Sequence, residues 1–346
     1  MNGTKIEKIT GPWNLKNAYF PKDRGTVFSC FSCCGGSTMG YKLAGFDVVG
    51  CNEIDPKVIE IYKLNHKPKY SFNCSIREML KIDLPDELYN LDILDGSPPC
   101  TSFSTAGVRE RDWGKEKKFS EGQAHQRLDD LFFEFIALAK KLQPKIIVAE
   151  NVTGIVKGKA KGYIKEIIKA YLDAGYITQI FKLNSANMGV PQARERIFFI
   201  SYRKNLNFKK LELVFKEKPI TFGDIQHSLD PNFKVNENLK IIPSRLKYYD
   251  QVKPGNNFAT AHPTKGQFNS VKLCFKKPIP TYCAGSLFFH PTIKRKISYQ
   301  ELLLCNTFPI DLIYKNIEHA KWAMGMSVPP FMMQRIAIEI YEQWIK

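Results

Sequence analysis

The chain has 346 residues, with 51 Lys and Arg against 34 Asp and Glu, a formal net charge of +17, 44% hydrophobic residues and 25% charged ones. That balance belongs to a folded protein rather than a charged disordered tail, and the length allows one large domain or two ordinary ones. No run of about 18 apolar residues occurs, which excludes a membrane-spanning helix, and the polar opening MNGTKIEKITGPWNLK lacks the apolar stretch of a secretory signal, so a cytoplasmic protein is expected. The positive excess points to a polyanionic partner, most often nucleic acid. Six of the nine cysteines lie within the first 100 residues, in apolar stretches, as expected of reduced thiols. Cys30, Cys33 and Cys34 have no second Cys or His pair at ligand spacing, so no metal is expected.

From residue 26 short apolar runs alternate with helix-like segments, the pattern of a doubly wound, mostly parallel α/β sheet. Residues 26–31 read as a first buried strand, followed by Gly35-Gly36, a short helix over 37–44 and a second strand over 46–53. A helix over 55–65 follows, with Asp55 as N-cap and Pro56 in its first turn, where the missing N–H costs nothing. Residues 91–95 form another strand and run into Gly96-Ser97-Pro98-Pro99-Cys100. The polar stretch 104–127 has little periodicity, and a loop of that length in a compact domain is usually functional or disordered. A helix over 131–142, a strand over 145–150, a helix over 163–172 ending at Gly175, and strands over 178–182 and 196–202 complete the pattern.

After residue 202 the texture changes to Lys, Asn, Pro and aromatic residues without a long helical period. A catalytic domain over 1–202, with 1–25 as an N-terminal extension, is therefore expected to give way to a smaller second domain of mixed, irregular β structure over 203–290. Residues 291–346 return to the first domain and end in a helix over 328–345. Residues 201–290 hold 15 Lys and Arg against 6 Asp and Glu, so nine of the seventeen net charges lie in about a quarter of the chain.

Four clusters carry candidate chemistry. The turn Phe31-Ser32-Cys33-Cys34-Gly35-Gly36 follows a strand, where free N–H groups can face a ligand, and Glu53 ends the next strand, where a carboxylate binds ribose hydroxyls. Without G-x-G-x-x-G, an adenosine-type ligand fits better than a dinucleotide. Cys100, held behind two prolines at the carboxyl end of a strand, is a potential nucleophile or a packing thiol. Glu150-Asn151-Val152 lies where another strand ends, expected on the same sheet, so a thiol and an acid could face one crevice, the pair needed to add to an electron-poor ring and protonate it. In Gln192-Ala193-Arg194-Glu195-Arg196, the two arginines suit a phosphate or a base carbonyl, or are simply surface residues.

Together these blocks resemble the DNA (cytosine-5) methyltransferase family. Phe31 to Gly36 resembles its F-x-G-x-G-G cofactor loop, Glu53-Ile54 its ribose and adenine contact, Pro98-Pro99-Cys100 its nucleophile motif, Glu150-Asn151-Val152 its E-N-V block, and Gln192, Arg194 and Arg196 its Q-x-R-x-R block. SYQELLLCNTFP, from Ser298 to Pro309, resembles a late block, and Gly325-Met326-Ser327-Val328-Pro329 the G-N-x-V-P block. The resemblance covers about residues 26–202 and 291–345 in the family's order. Cys33 stands in place of a loop glycine, Ser75 before Ile76 in place of an Asp, Thr101 in place of a frequent Gln, and Met326 in place of an Asn.

The resemblance implies a Rossmann-like S-adenosylmethionine-dependent fold and methyl transfer to C5 of a cytosine flipped out of duplex DNA, leaving S-adenosylhomocysteine. It implies that Cys100 adds to C6, that Glu150 bonds N3 and the exocyclic amine, and that Arg196 contacts O2, with Arg194, Asn151 and Pro99 completing the catalytic group. The implied cofactor contacts are Phe31, Ser32, Cys33, Cys34, Gly35, Gly36, Glu53, Ile54, Ser75, Ile76, Pro98, Leu131, Met326, Ser327 and Val328. The loop from Thr101 to Arg127 resembles the element that closes over DNA. Its Ser104, Arg109, Arg111 and Lys115, with Gln192, are the implied DNA contacts, and residues 203–290 occupy the place of the target recognition region. A monomer acting on double-stranded DNA, with a possible cognate restriction endonuclease, is implied. Alternatives are an RNA cytosine-5 methyltransferase, whose Cys-Phe-Thr signature is absent, a non-catalytic DNA-binding relative, and an NAD-linked oxidoreductase.

Overall fold

The computed structural model describes residues 10–99, 130–156 and 160–346. The elements are β1 (Thr26–Cys30), α1 (Gly36–Leu43), β2 (Asp47–Asn52), α2 (Pro56–His66), β3 (Tyr70–Phe72), α3 (Ile76–Met79), β4 (Ile93–Gly96), α4 (Leu131–Leu142), β5 (Ile146–Val152), α5 (Ala160–Asp173), β6 (Tyr176–Asn184), β7 (Gln192–Ala193) and β8 (Glu195–Arg203). Then come α6 (Phe222–Gln226), α7 (Pro243–Tyr249), β9 (Ser270–Lys272), β10 (Ile279–Pro280), β11 (Leu287–Phe289), α8 (Tyr299–Cys305), α9 (Ile317–Met326) and α10 (Pro330–Ile340). Seven strands form one sheet in the order β3-β2-β1-β4-β5-β8-β6. Only β8 runs against its neighbours, pairing antiparallel with both β5 and β6. This is the expected doubly wound, mostly parallel sheet.

Strand alternation divides the core into two layers. Val27, Val48, Ile93, Ile146, Val148 and Phe198 face one side, with α1 and α10. Their neighbours Phe28, Val49, Leu94, Ile147 and Phe199 face the other, with α3, α4 and α5. Both faces are covered, which is why these strands read as continuous apolar runs. Asp55 caps α2 by accepting from the Lys57 N–H at 2.9 Å, with Pro56 behind it as expected. The strand β3 has only three residues, Tyr-Ser-Phe, and pairs at the sheet edge, so no apolar run announces it.

The C-terminal segment returns to the first helix. A Cβ built on Gly40 of α1 would lie 2.5 Å from Met333 Cβ, 2.6 Å from the Pro330 carbonyl oxygen and 2.8 Å from the Gln334 nitrogen of α10. Backbone atoms cannot step aside as a flexible side chain can. Gly40→Ala is therefore expected to destabilise the protein by about 2 kcal/mol. Urea unfolding checks this, and an unchanged midpoint would show that the two helices tolerate a wider separation.

The extension over 10–25 is anchored rather than loose. The Trp13 indole N–H donates to the Thr307 carbonyl at 2.9 Å, and the Asp311 carboxylate accepts from the Leu15 and Lys16 backbone N–H groups.

The region 203–290 is mixed and irregular, with the short helices α6 and α7 and the small strands β9, β10 and β11. Its own apolar cluster is small: Ile241, Tyr249, Val252, Phe258 and Phe289. Leu211, Phe222, Ile225, Leu273, Ile279, Tyr282 and Phe288 pack instead into the first core layer. The change in composition near 203 thus marks a change of texture, while packing continues across it. Among the described residues, no helix is long and apolar enough to cross a membrane.

Candidate active site

At the carboxyl end of β1 the chain turns sharply, with positive φ at Phe31 (50°), Cys33 (49°) and Gly35 (89°). A left-handed conformation favours glycine, so Cys33 holds a position where its side chain carries a steric cost. Two contacts offset it: the Cys33 N–H donates to Glu53 Oε2 at 2.9 Å, and its thiol reaches the Ala323 carbonyl at 3.3 Å. The other Glu53 oxygen accepts from the Asp55 N–H at 3.0 Å. Burial raises the proton affinity of Glu53, and these backbone donors oppose the rise.

The late G-M-S-V-P segment closes on this loop. A Cβ on Gly36 would sit 2.1 Å from the Val328 carbonyl oxygen, so only glycine permits the contact. The Cys34 thiol lies 3.3 Å from Ser327 Oγ. Ser32, Ser327, Val328, Ile76, Leu131 and Pro98 are buried and Ile54 is half-buried, whereas Met326 is 50% exposed. The Ser75 hydroxyl is engaged in a capping box of α3: it donates to Glu78 Oε2 at 2.8 Å and accepts from the Glu78 N–H at 3.2 Å. Its position thus has a role in the fold whether or not it meets a ligand.

On the other side of the crevice, β4 pairs with β5 so that Gly96 lies opposite Ala149. This register places Pro98-Pro99 beside Glu150-Asn151. The Asn151 side-chain N–H donates to the Pro98 carbonyl at 3.1 Å while its oxygen accepts from the Val152 N–H at 2.8 Å. The two blocks are thereby tied together. Glu150 on β5 and Arg196 on β8 are diagonal neighbours on one face of the sheet, because Val152 pairs with Arg196. Arg196 Nε lies 2.9 Å from Glu150 Oε1, close enough for an ion pair but off the hydrogen-bond axis. That oxygen is buried and has no hydrogen-bond donor among the described residues. A buried acid with an uncommitted oxygen, beside a guanidinium, can hold a ring amidine and its carbonyl.

Arg194 and Gln192 have a different position from the one their motif suggests. Arg194 is 2% exposed and donates from Nη1 to the carbonyls of Tyr282 at 2.9 Å and Gly325 at 3.2 Å. Burial, with Arg196 close by, pulls its proton affinity down to about 9. Gln192 is fully buried, donating to Asn306 Oδ1 at 2.7 Å and accepting from the Tyr282 N–H at 2.9 Å. It joins the late helical segment to the end of the 203–290 region. Tyr282 and Asn306 therefore belong to the joint; Asn306 lies within the late block at 298–309, whereas no motif includes Tyr282. Asp95, an acid inside a strand that otherwise reads as buried, also lies on this face of the sheet.

Cys100, Ser104, Arg109, Arg111 and Lys115 lie outside the described residues, as does the rest of the loop from Thr101 to Arg127.

A family profile described as C-5 cytosine-specific DNA methylase matches residues 25–342. Type II methyltransferase M.NgoPII of Neisseria gonorrhoeae is 27% identical to this chain over 91% of its residues and 94% of the relative's. Type II methyltransferase M.FnuDI of Fusobacterium nucleatum is 34% identical over 61% of this chain and 56% of its own length. Among solved structures, a candidate DNA modification methyltransferase encoded within an E. coli prophage superposes with a TM-score of 0.70 at 21% identity, covering 92% of this chain and 99% of that one. DNMT2 of Spodoptera frugiperda does so with a TM-score of 0.63 at 16% identity, again over 92% and 99%.

Proposed function

Since the chain belongs to the C-5 cytosine-specific DNA methylase family and is a DNA cytosine methyltransferase, we propose that it methylates C5 of a flipped-out cytosine in a specific duplex sequence, through a covalent adduct between Cys100 and C6. The observation that carries this reading is the buried Glu150–Arg196 pair, held beside the Pro98-Pro99 segment by Asn151. Cytosine presents N3, the exocyclic amine and O2 along one edge, and this pair offers a carboxyl and a guanidinium to meet them. A base stacked in a duplex cannot reach either group, so extrusion precedes chemistry.

Cys100 adds to C6 across the C5–C6 double bond and makes C5 nucleophilic; once C5 carries the methyl group, a base takes the C5 proton and the C6–S bond breaks, which restores the ring and frees the thiol. Glu150 holds N3 and the amine as charge builds on the ring, and Arg196 steadies O2. S-adenosylmethionine supplies the electrophilic methyl group. The crevice fits such a molecule: the left-handed loop at 31–36 leaves room for a close backbone approach, and Glu53 directly follows β2 with its carboxylate oriented by two N–H groups. Phe31 to Gly36, Glu53, Ile54, Ile76, Pro98, Leu131, Ser327 and Val328 would hold it.

The region 203–290 acts as the target recognition part in this reading. Twelve of its fifteen cations are exposed, so they are available to phosphates. DNA affinity is expected to fall by on the order of a hundredfold or more between about 50 and 200 mM salt, as counterions are released. Fluorescence anisotropy with a labelled duplex measures this, and a flat salt response would contradict the placement. The names of its relatives support a type II restriction-modification setting. The test of function is 5-methylcytosine in duplex DNA incubated with the protein and S-adenosylmethionine, read by mass spectrometry; methylated RNA alongside unmodified duplex DNA would overturn it.

A further inference from the structure

Asp95 is the penultimate residue of β4 and is 3% exposed. It pairs with Ser29 on β1 and with Val148 on β5, so its side chain shares a sheet face with Glu150, two residues further along β5. Its carboxylate accepts from the Ser29 hydroxyl at 2.8 Å and from the Tyr41 hydroxyl at 3.3 Å. Ser37 from α1, Tyr62 from α2, Glu150 from β5 and Cys30, whose side chain lies in the other core layer, also act on it electrostatically. Burial keeps Cys30, Tyr41 and Tyr62 neutral, and among the described residues no lysine or arginine forms an ion pair with Asp95.

A buried carboxylate without a cation is costly, and an amide would serve as well for the hydrogen bonds to Ser29 and Tyr41. Burial raises Asp95 to about 7, with the hydroxyls of Ser29 and Tyr41 opposing the rise and Glu150 adding to it. The acid is thus poised to ionise when a positive charge arrives. Ser29 lies just before the 31–36 loop, and Glu150 bounds the base pocket, so Asp95 sits under the ground between them. If the donor is S-adenosylmethionine, as proposed above, its sulfonium has to come to that ground to deliver a methyl group to the base. The demethylated product lacks that charge.

We propose that Asp95 is the buried counter-charge for the sulfonium of the methyl donor, and that it makes the crevice prefer the donor over its demethylated product. The charge disappears on transfer, so the same residue that favours donor binding ceases to hold the product.

The test is titration calorimetry of the full chain, without DNA, using S-adenosylmethionine and S-adenosylhomocysteine at pH 6 and pH 8, for wild type and Asp95→Asn. The Asn variant serves as the baseline, because it retains any titration of the ligands' own amino groups. An acid midpoint near 7 means that the ionised form prevails at pH 8 and not at pH 6. The wild-type preference for donor over product is therefore expected to grow by about fivefold more than the variant's over this range. An equal pH response in both proteins, or a variant that weakens both ligands alike at both pH values, would overturn the proposal. Failure of wild type to bind either ligand would overturn the S-adenosylmethionine reading and this inference with it, whereas tight binding with a pH-independent preference would sink the inference alone. Should Asp95→Asn not fold, Tyr41→Phe removes one donor to the carboxylate and nothing else. The midpoint of the wild-type pH response should then move to higher pH, and an unmoved midpoint contradicts the assignment.

Discussion

Cys100→Ala is expected to lower methyl incorporation into duplex DNA by at least about ten-thousandfold, while affinities for DNA and for the methyl donor stay within a few-fold of wild type. The reason is chemical. C5 of cytosine is a poor nucleophile, and without addition at C6 no other group proposed in the crevice can activate it, so removing the thiol removes the pathway rather than one contact in it. Pro98-Pro99, which lead up to Cys100, are positioned by parts of the fold that the substitution leaves alone, namely the β4–β5 register and the Asn151 hydrogen bond to Pro98. Transfer of a labelled methyl group from S-adenosylmethionine, with binding measured separately, decides the matter. Incorporation within tenfold of wild type would exclude Cys100 as the nucleophile.

Glu150→Gln is expected to reduce turnover by about a hundredfold to a thousandfold, the cost of losing one well-placed group that meets developing charge. It should also lower stability by on the order of 1–3 kcal/mol, because Arg196 would face an amide in a site where both side chains are nearly buried. The two effects can be separated. Adding Arg196→Met removes the stranded charge and should restore much of the stability without restoring turnover. Thermal unfolding and steady-state methylation of the single and double variants provide both readouts. A Glu150→Gln enzyme with turnover within a few-fold of wild type would rule out the proposed contact with the ring.

The motif blocks were legible because each joins a strand end to a residue type with restricted conformational or chemical options. Gly36 could be anticipated as part of a turn, and Glu53 as the carboxylate ending the second strand. What could not be read was how the ends of the chain converge. The Val328 carbonyl meets Gly36, and α10 lies against Gly40, across nearly three hundred residues of intervening sequence. No local periodicity carries such a contact. The same holds for Arg194 and Gln192: their motif suggested a reactive or DNA-facing role, yet their polar atoms bridge to Tyr282, Gly325 and Asn306, which are remote in sequence.

By itself the sequence determined the alternating α/β order, the placement of Glu53 and Glu150 near the carboxyl ends of strands, the capping of α2 by Asp55 and the concentration of positive charge in 203–290. All of these depend on local pattern, residue chemistry or simple counting. Tertiary structure alone decided that β8 enters between β5 and β6 in reverse, which sets Arg196 diagonally from Glu150, and that Asp95 is buried on the same face with no ion pair among the described residues. Strand order, register and charge environment arise from packing between distant segments, and a linear pattern does not encode which distant segments will be neighbours.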